Sequence, residues 1–313
     1  PAEISNHLAE RLGSEITGIC HVSSVNGFLN FTASVDWMEK RISLLRNDDM
    51  LGVECDSNSR IIVIDYSSPN VAKRMHVGHL RSTVIGDALN RMLTYKGHTV
   101  LPENHIGDWG TPFGMLIEHY LEDCDGEGDI DLLTFYKKAR EKFDSDQSFA
   151  DRSRERVVLL QSRDPETHKL WKVLHDHSMV EFNKIYELLG VLLVGEDPWG
   201  ESRYQSHLPI VLERLEHTGL LERSEGADVV FPQGWVNREG NPLPMIIRKA
   251  DGGFNYSATD LACIIRRVEE RGCKEILYVV GQEQKQHFEM LFKVAREAGF
   301  MDETIEVEHI SFG

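Results

Sequence analysis

Apolar positions change period several times along the chain, and each change predicts an element. In residues 1–57, Ile4, Leu8 and Leu12 recur at helical spacing, the apolar run GFLNF follows, and the polar stretch CDSNSR closes the segment. This predicts a small, partial N-terminal α+β domain followed by a linker. RIIVIDY, from Arg60 to Tyr66, has the length and β-branched content of a strand buried on both faces of a parallel sheet. After His76, the positions Leu80, Val84, Ile85, Ala88, Leu89 and Met92 keep a helical period that ends near Gly97, and HTVLPEN supplies another strand. Residues 58–114 therefore read as strand, loop, helix and strand, the first half of a Rossmann-like α/β domain.

Residues 115–225 are mainly helical in pattern, with breaks at the acidic DCDGEGD and at Asp164 and Pro165. Strand-like runs return at ADVVF, MIIRK and EILYVV, with helices predicted from about Thr259 to Arg271 and from about Gln284 to Ala298. The expected fold is α/β: a parallel sheet interrupted by a helical insertion and resumed over 226–313.

Composition narrows the setting. At 313 residues and 41% hydrophobic, the chain can bury a sizeable core. Its longest apolar runs fall far below the roughly 18 residues that cross a bilayer, so no membrane segment is expected. PAEISNHLAERL lacks the basic start and apolar middle of a secretory signal, which predicts a cytoplasmic protein. The five cysteines, Cys20, Cys55, Cys124, Cys263 and Cys273, show no CxxC spacing, consistent with reduced thiols and no zinc. A net charge of −17 limits any grip on nucleic acid to local patches. Lys73 with Arg74 and Arg266 with Arg267 are candidates, although each pair is equally a set of solvated charges.

The first chemical constellation is DYSSPNVAKRMHVGHLRST, where a strand ends, a proline-containing loop follows and His76, Val77, Gly78 and His79 open a helix. A helix N-terminus at the carboxyl edge of a parallel sheet presents free N–H groups and a positive dipole end, a natural seat for phosphates. His76 and His79, three apart, share a face and can reach one phosphate group. Gly78 leaves the backbone open to a flat adenine ring.

DYSSPNVAKRMHVGHLRSTVIGDAL followed by NHIGDWGTPFGMLI resembles the arginyl-tRNA synthetase family of class I enzymes. The likeness continues through LLQSRD, GESRY, VVF and DGGFNYSATDLAC and covers nearly the whole chain. It implies activation of arginine with ATP and Mg2+, transfer to tRNA(Arg), and a monomer. His76 and His79 would stabilise charge developing on the phosphates. Guanidinium calls for a carboxylate that can take it in a planar fork, and the resemblance gives that position to Asp260, with Tyr256 four residues earlier on the same helical face. It gives Ser68, Asn70 and Gln284 to the amino and carboxylate groups of the substrate. Asn26, Asp65 and Glu201 match positions near the substrate, yet each also suits a turn, strand end or cap. Asn26 would bring the N-terminal domain to the site. GDWG, Gly107 to Gly110, reads as a turn that packs Trp109 beneath the site, and His105 and His287, near enough to the site segments to touch ATP, read more commonly as hydrogen-bonded structural histidines.

The sequence ends at HISFG, where family members continue into a lysine-rich KMSKS-like loop and an anticodon-binding domain. It is therefore expected to be a fragment with weak or no activity alone. Two other readings remain: a nucleotidyltransferase that shares only the HxGH helix start, and a non-catalytic paralogue that binds arginine or ATP.

Overall fold

The computed structural model describes residues 1–71, 73–123, 131–237 and 239–313. Cys124 and the rest of the acidic break after Asp123 thus lie outside the described residues, as does Ala72 in the loop before His76. The chain forms two compact units, Pro1–Ser57 and Asn58–Gly313.

The first unit contains α1 (Ala2–Glu15), β1 (Cys20–Val25), β2 (Phe28–Ala33) and α2 (Val35–Arg46). The two strands pair antiparallel with Val25 opposite Phe28, leaving Asn26 and Gly27 as a two-residue turn. Both turn residues have positive φ, 53° and 86°, which matches the twist of the flanking strands. Ser34 caps α2 by accepting a hydrogen bond from the Trp37 N–H.

The second unit begins with β3 (Ile61–Asp65), α3 (Val77–Tyr95) and β4 (Thr99–Glu103), the predicted strand-helix-strand unit. The helical insertion follows as α4 (Thr111–Asp123), α5 (Leu132–Ser145), α6 (Gln147–Gln161), α7 (Pro165–Leu189) and α8 (Leu208–His217). Next come β5 (Glu222–Ser224), β6 (Ala227–Val230), β7 (Met245–Arg248), α9 (Tyr256–Ile265), β8 (Glu275–Gly281), α10 (Lys285–Glu297) and β9 (Glu306–Phe312). Among the described residues the main sheet has the order β4-β3-β8-β9, with every pair parallel.

Alternation along β3 and β8 divides the core. Val63, Ile276 and Tyr278 face a cluster built with α8, α9 and α10. Ile62, Ile64, Leu277 and Val279 face a second cluster built with residues of α4, α6 and α7. Ile62, Val63 and Ile64 are fully buried, each worth roughly 1.5–3 kcal/mol of apolar burial, so β3 anchors both layers. Its end, Asp65, is thereby fixed in depth.

Two expectations need correction. ADVVF and MIIRK do not rejoin the parallel sheet: β6 pairs antiparallel with β5 and β7 in a separate sheet. A four-residue apolar run reports a strand but carries no information about its partner. The helix predicted to reach Arg271 is α-helical only to Ile265, and Arg266–Glu270 continue as a π-helical turn. That turn carries Arg266 and Arg267 into the interior, at 5% and 0% exposure, so they form no basic surface patch.

Candidate active site

The carboxyl ends of β3, β4 and β8 open onto the loops that hold the candidate residues. After β3, Ser67 and Ser68 adopt left-handed backbone conformations, φ 72° and 45°, which non-glycine residues hold only when their surroundings fix them. The fixing bonds are present. The Ser67 N–H donates to Ser82 Oγ (2.9 Å) and the Ser68 N–H to Asn104 Oδ1 (3.0 Å), while Ser67 Oγ and Tyr186 Oη lie 2.7 Å apart. Asn70 forms a parallel bridge with Gly107, and a Cβ on Gly107 would stand 2.1 Å from Asn70 Oδ1. The first glycine of GDWG is therefore what allows the loops after β3 and β4 to interlock.

Asp65 is buried and both its oxygens are engaged: Oδ1 accepts from Ser68 Oγ (2.8 Å) and Oδ2 from Arg267 Nη2 (2.6 Å). Arg267 Nε also donates to Glu103 Oε2 (2.8 Å), and Arg266 Nη1 donates to Glu103 Oε1 (2.6 Å). Burial alone would raise the Glu103 pKa, but Arg267 and Arg266 outweigh it and hold the carboxyl below its ordinary value. Removing one member of such a buried set typically costs about 3–5 kcal/mol, because a charge is left unpaired. Lone letters gave no hint of this cluster. Only the π turn, which brings two successive arginines inward, makes it.

At the start of α3 the two histidines cap the helix together. His76 Nδ1 accepts from the Gly78 N–H (3.2 Å) and His79 Nδ1 accepts from the His76 N–H (3.1 Å). With both Nδ1 atoms accepting, the ring protons sit on the Nε2 atoms, giving two N–H donors free for an anion. Burial, then His76 and Lys73, push the His79 pKa down to about 4, so that ring is neutral near pH 7. A Cβ on Gly78 would lie 3.0 Å from His76 Cε1, so the glycine makes room for the histidine ring itself.

The third group joins α9 and α10. Asp260 Oδ2 lies 2.7 Å from His287 Nε2, and Asp260 Oδ1 is 4.0 Å from His105 Nε2. Cys263, one turn further along α9, places Sγ 3.7 Å from His105 Nδ1. Tyr256 stands edge-on to His287 with ring centroids 5.0 Å apart. Burial lowers the His105 pKa, but Cys263, Asp65 and Asp260 overcome it and hold the ring well above its ordinary value. Glu201 is largely buried; burial pushes its pKa up to about 7, with Asp108 and Asp260 raising it and His105 opposing. It opens the short 3-10 turn Glu201–Tyr204 and lines a cavity of about 310 Å³ with Trp109, Tyr256 and Thr259. Asp108 of GDWG holds that turn, accepting from the Ser202 N–H (2.8 Å) and Ser202 Oγ (2.6 Å).

These groups make two histidine donors at a helix start and, apart from it, a pair of neighbouring carboxylates, Glu201 and Asp260, suited to a planar cation. The family profile described as tRNA synthetases class I (R), catalytic domain, matches residues 41–313. This chain belongs to that family. It is 46% identical over 320 residues to the arginine–tRNA ligase of Thermobifida fusca, covering 100% of this chain and 55% of the relative. The arginine–tRNA ligase of Cutibacterium acnes is 45% identical over 318 residues, covering 100% of this chain and 56% of that one. The chain thus spans about half the length of the curated relatives it matches. Arginyl-tRNA synthetase from Plasmodium falciparum superposes with a TM-score of 0.77 at 28% identity, over 98% of this chain and 55% of that one. The Thermus thermophilus arginyl-tRNA synthetase, with a TM-score of 0.63 at 19% identity over 98% of this chain and 57% of that one, shares the fold. The architecture is the Rossmann-like class I fold of this family.

Within this class I domain, the structure brings Tyr256, Asp260 and Glu201 to one neighbourhood with His105 and His287. Gln284 ends the 3-10 turn Gln282–Gln284 after β8 and is exposed at the start of α10. Asn26 is the exposed turn residue of the hairpin in the first unit. His105 and His287 both flank Asp260, and Asp108 holds the Glu201 turn; the signal available was the position of HIGD and QKQH directly after parallel strands. Among the described residues, no helix is long and apolar enough to cross a membrane.

Proposed function

We propose that this chain carries the arginine-activating centre of an arginine–tRNA ligase. The observation that carries the reading is Asp260, a carboxylate oriented by His287, close enough to Glu201 to raise its pKa, and next in sequence to Thr259 of the cavity that Glu201 and Tyr256 line. A planar guanidinium can donate two parallel hydrogen bonds to such a carboxylate; a lysine ammonium cannot. Ser68, Asn70 and Gln284 hold the amino and carboxylate groups of the substrate. Asp65 supports Ser68 from behind.

ATP, with Mg2+ on its phosphates, lies along the start of α3, where His76 and His79 present Nε2–H donors. The arginine carboxylate attacks the α-phosphorus in line, the bond to pyrophosphate breaks, and the histidines stabilise the charge developing on the phosphate oxygens. A neutral His79 suits this role because it donates its Nε2–H without changing protonation state near pH 7. The 3′-terminal ribose of tRNA(Arg) then attacks the adenylate carbonyl and releases AMP. The protein acts as a monomer in the cytoplasm, and needs no zinc. Pyrophosphate exchange in the presence of tRNA, measured on the longest natural chain that carries these residues, tests the reading. Exchange is expected with arginine and not with lysine or citrulline, the neutral isostere; equal exchange with citrulline would refute the role of Asp260.

A further inference from the structure

Arg267 is wholly buried and lies behind the site, away from any surface an incoming ligand could touch. Its guanidinium joins the ends of two strands, through Nε to Glu103 and Nη2 to Asp65. Asp65 Oδ2 is thus occupied, and Oδ1 takes the hydroxyl hydrogen of Ser68 at an Oγ to Oδ1 distance of 2.8 Å. A carboxylate held by arginine is an acceptor only, so the Ser68 hydrogen must point inward. Both remaining lone pairs of Ser68 Oγ are then left for whatever enters. The backbone that carries the serine is pinned, its N–H by Asn104 Oδ1 and that of its neighbour Ser67 by Ser82, and the Asp65 bond holds the hydroxyl in place.

We propose that Arg267 is a positioning residue that, through Asp65, fixes the hydrogen-bond polarity of Ser68. Ser68 thereby accepts from the protonated α-amino group of the amino acid and discriminates against a carboxylate in the same place. The inference rests on the arginine-activating reading above and assigns one end of that substrate to one atom.

Calorimetric titration of the full chain with arginine and with 5-guanidinopentanoate, the same molecule without its amino group, tests it. In the parent chain the amino group is expected to improve Kd by about 10- to 100-fold, the range for a hydrogen bond to a charged group. In Asp65→Asn the amide oxygen stays with Arg267 and the NH2 turns to Ser68, so the hydroxyl reverses and donates outward. The ratio should then fall to within about threefold, while the affinity for 5-guanidinopentanoate is retained. Arg267→Lys, which keeps the charge but loses the fork, should give an intermediate ratio. Ser68→Ala, at a half-buried position, removes the acceptor with little demand on folding and should give the same collapse if the buried variants do not fold. A ratio unchanged in these variants, or an equal loss of both ligands, overturns the proposal. A parent chain that binds both ligands equally overturns the polarity of Ser68 alone, whereas one that binds neither overturns the arginine reading and this inference with it.

Discussion

The start of α3 and the cluster around Asp260 present opposite electrostatic faces, built by opposite means. Four consecutive residues, His76 to His79, build the first from backbone N–H groups and two histidine rings whose acceptor atoms are already satisfied. The second gathers side chains from four separate stretches: Glu201, His105, His287 and the Tyr256 to Asp260 turn. An anion can be met by unpaired N–H groups that any helix start provides. A selected cation needs carboxylates held partly out of water, and holding them there requires tertiary structure.

Substitutions should separate the two regions. The largest effect is expected from Asp260→Asn, which removes a partly buried charge from a charge pair: arginine affinity should fall by about 10²- to 10³-fold in calorimetry, with ATP affinity little changed. His79→Ala should do the reverse, lowering the rate of arginine-dependent pyrophosphate exchange by about 10²-fold while leaving arginine Kd within a few-fold. Similar losses of arginine affinity in both variants would mean that the regions act as one.

Acidification addresses the cation side alone. Glu201, with its pKa pushed up to about 7, is increasingly protonated in the empty pocket as pH falls below 7, and a bound guanidinium favours the ionised form. Arginine affinity should therefore drop by up to about tenfold per unit below pH 7, with proton release on binding, and Glu201→Gln should flatten that dependence. Stability should move the other way. A carboxyl whose folded pKa is raised carries a penalty that is absent below the unfolded value and complete above about 7. Glu201→Gln is thus expected to stabilise the empty chain at pH 8 by about 1–3 kcal/mol in thermal or urea unfolding, with the gain vanishing near pH 4. The smallest effect belongs to the anion side: His76→Ala removes a cap and should cost about 0.5–1 kcal/mol of stability.

The same contrast explains what the sequence allowed. β3, α3 and β4 were legible because Ile61 to Ile64 form an unbroken apolar run and Leu80 to Met92 hold one period, signals that need no distant partner. The strand character of ADVVF and MIIRK was legible as well, but their pairing was not, since it depends on Asp228 meeting Arg223 and Arg248 across the small sheet. Arg266 and Arg267 misled for a related reason. Adjacent arginines read as a solvated patch until the π turn and the acids at the ends of β3 and β4 are seen together. Cys263 and His105, 158 positions apart, had no spacing that could announce their contact.

The interlock of Asn70 with Gly107 carries a consequence for the order in which a ribosome-bound chain acquires its parts. Ser68 meets Asn104 across 36 positions, so the loops after β3 and β4 can engage once little more than the first strand-helix-strand unit has emerged. Asp260 reaches His105 only after the whole helical insertion has been synthesised. The nascent chain can thus shape the loop and helix start after β3 early and complete the Asp260 cluster late, so a stalled or truncated product would carry the first without the second.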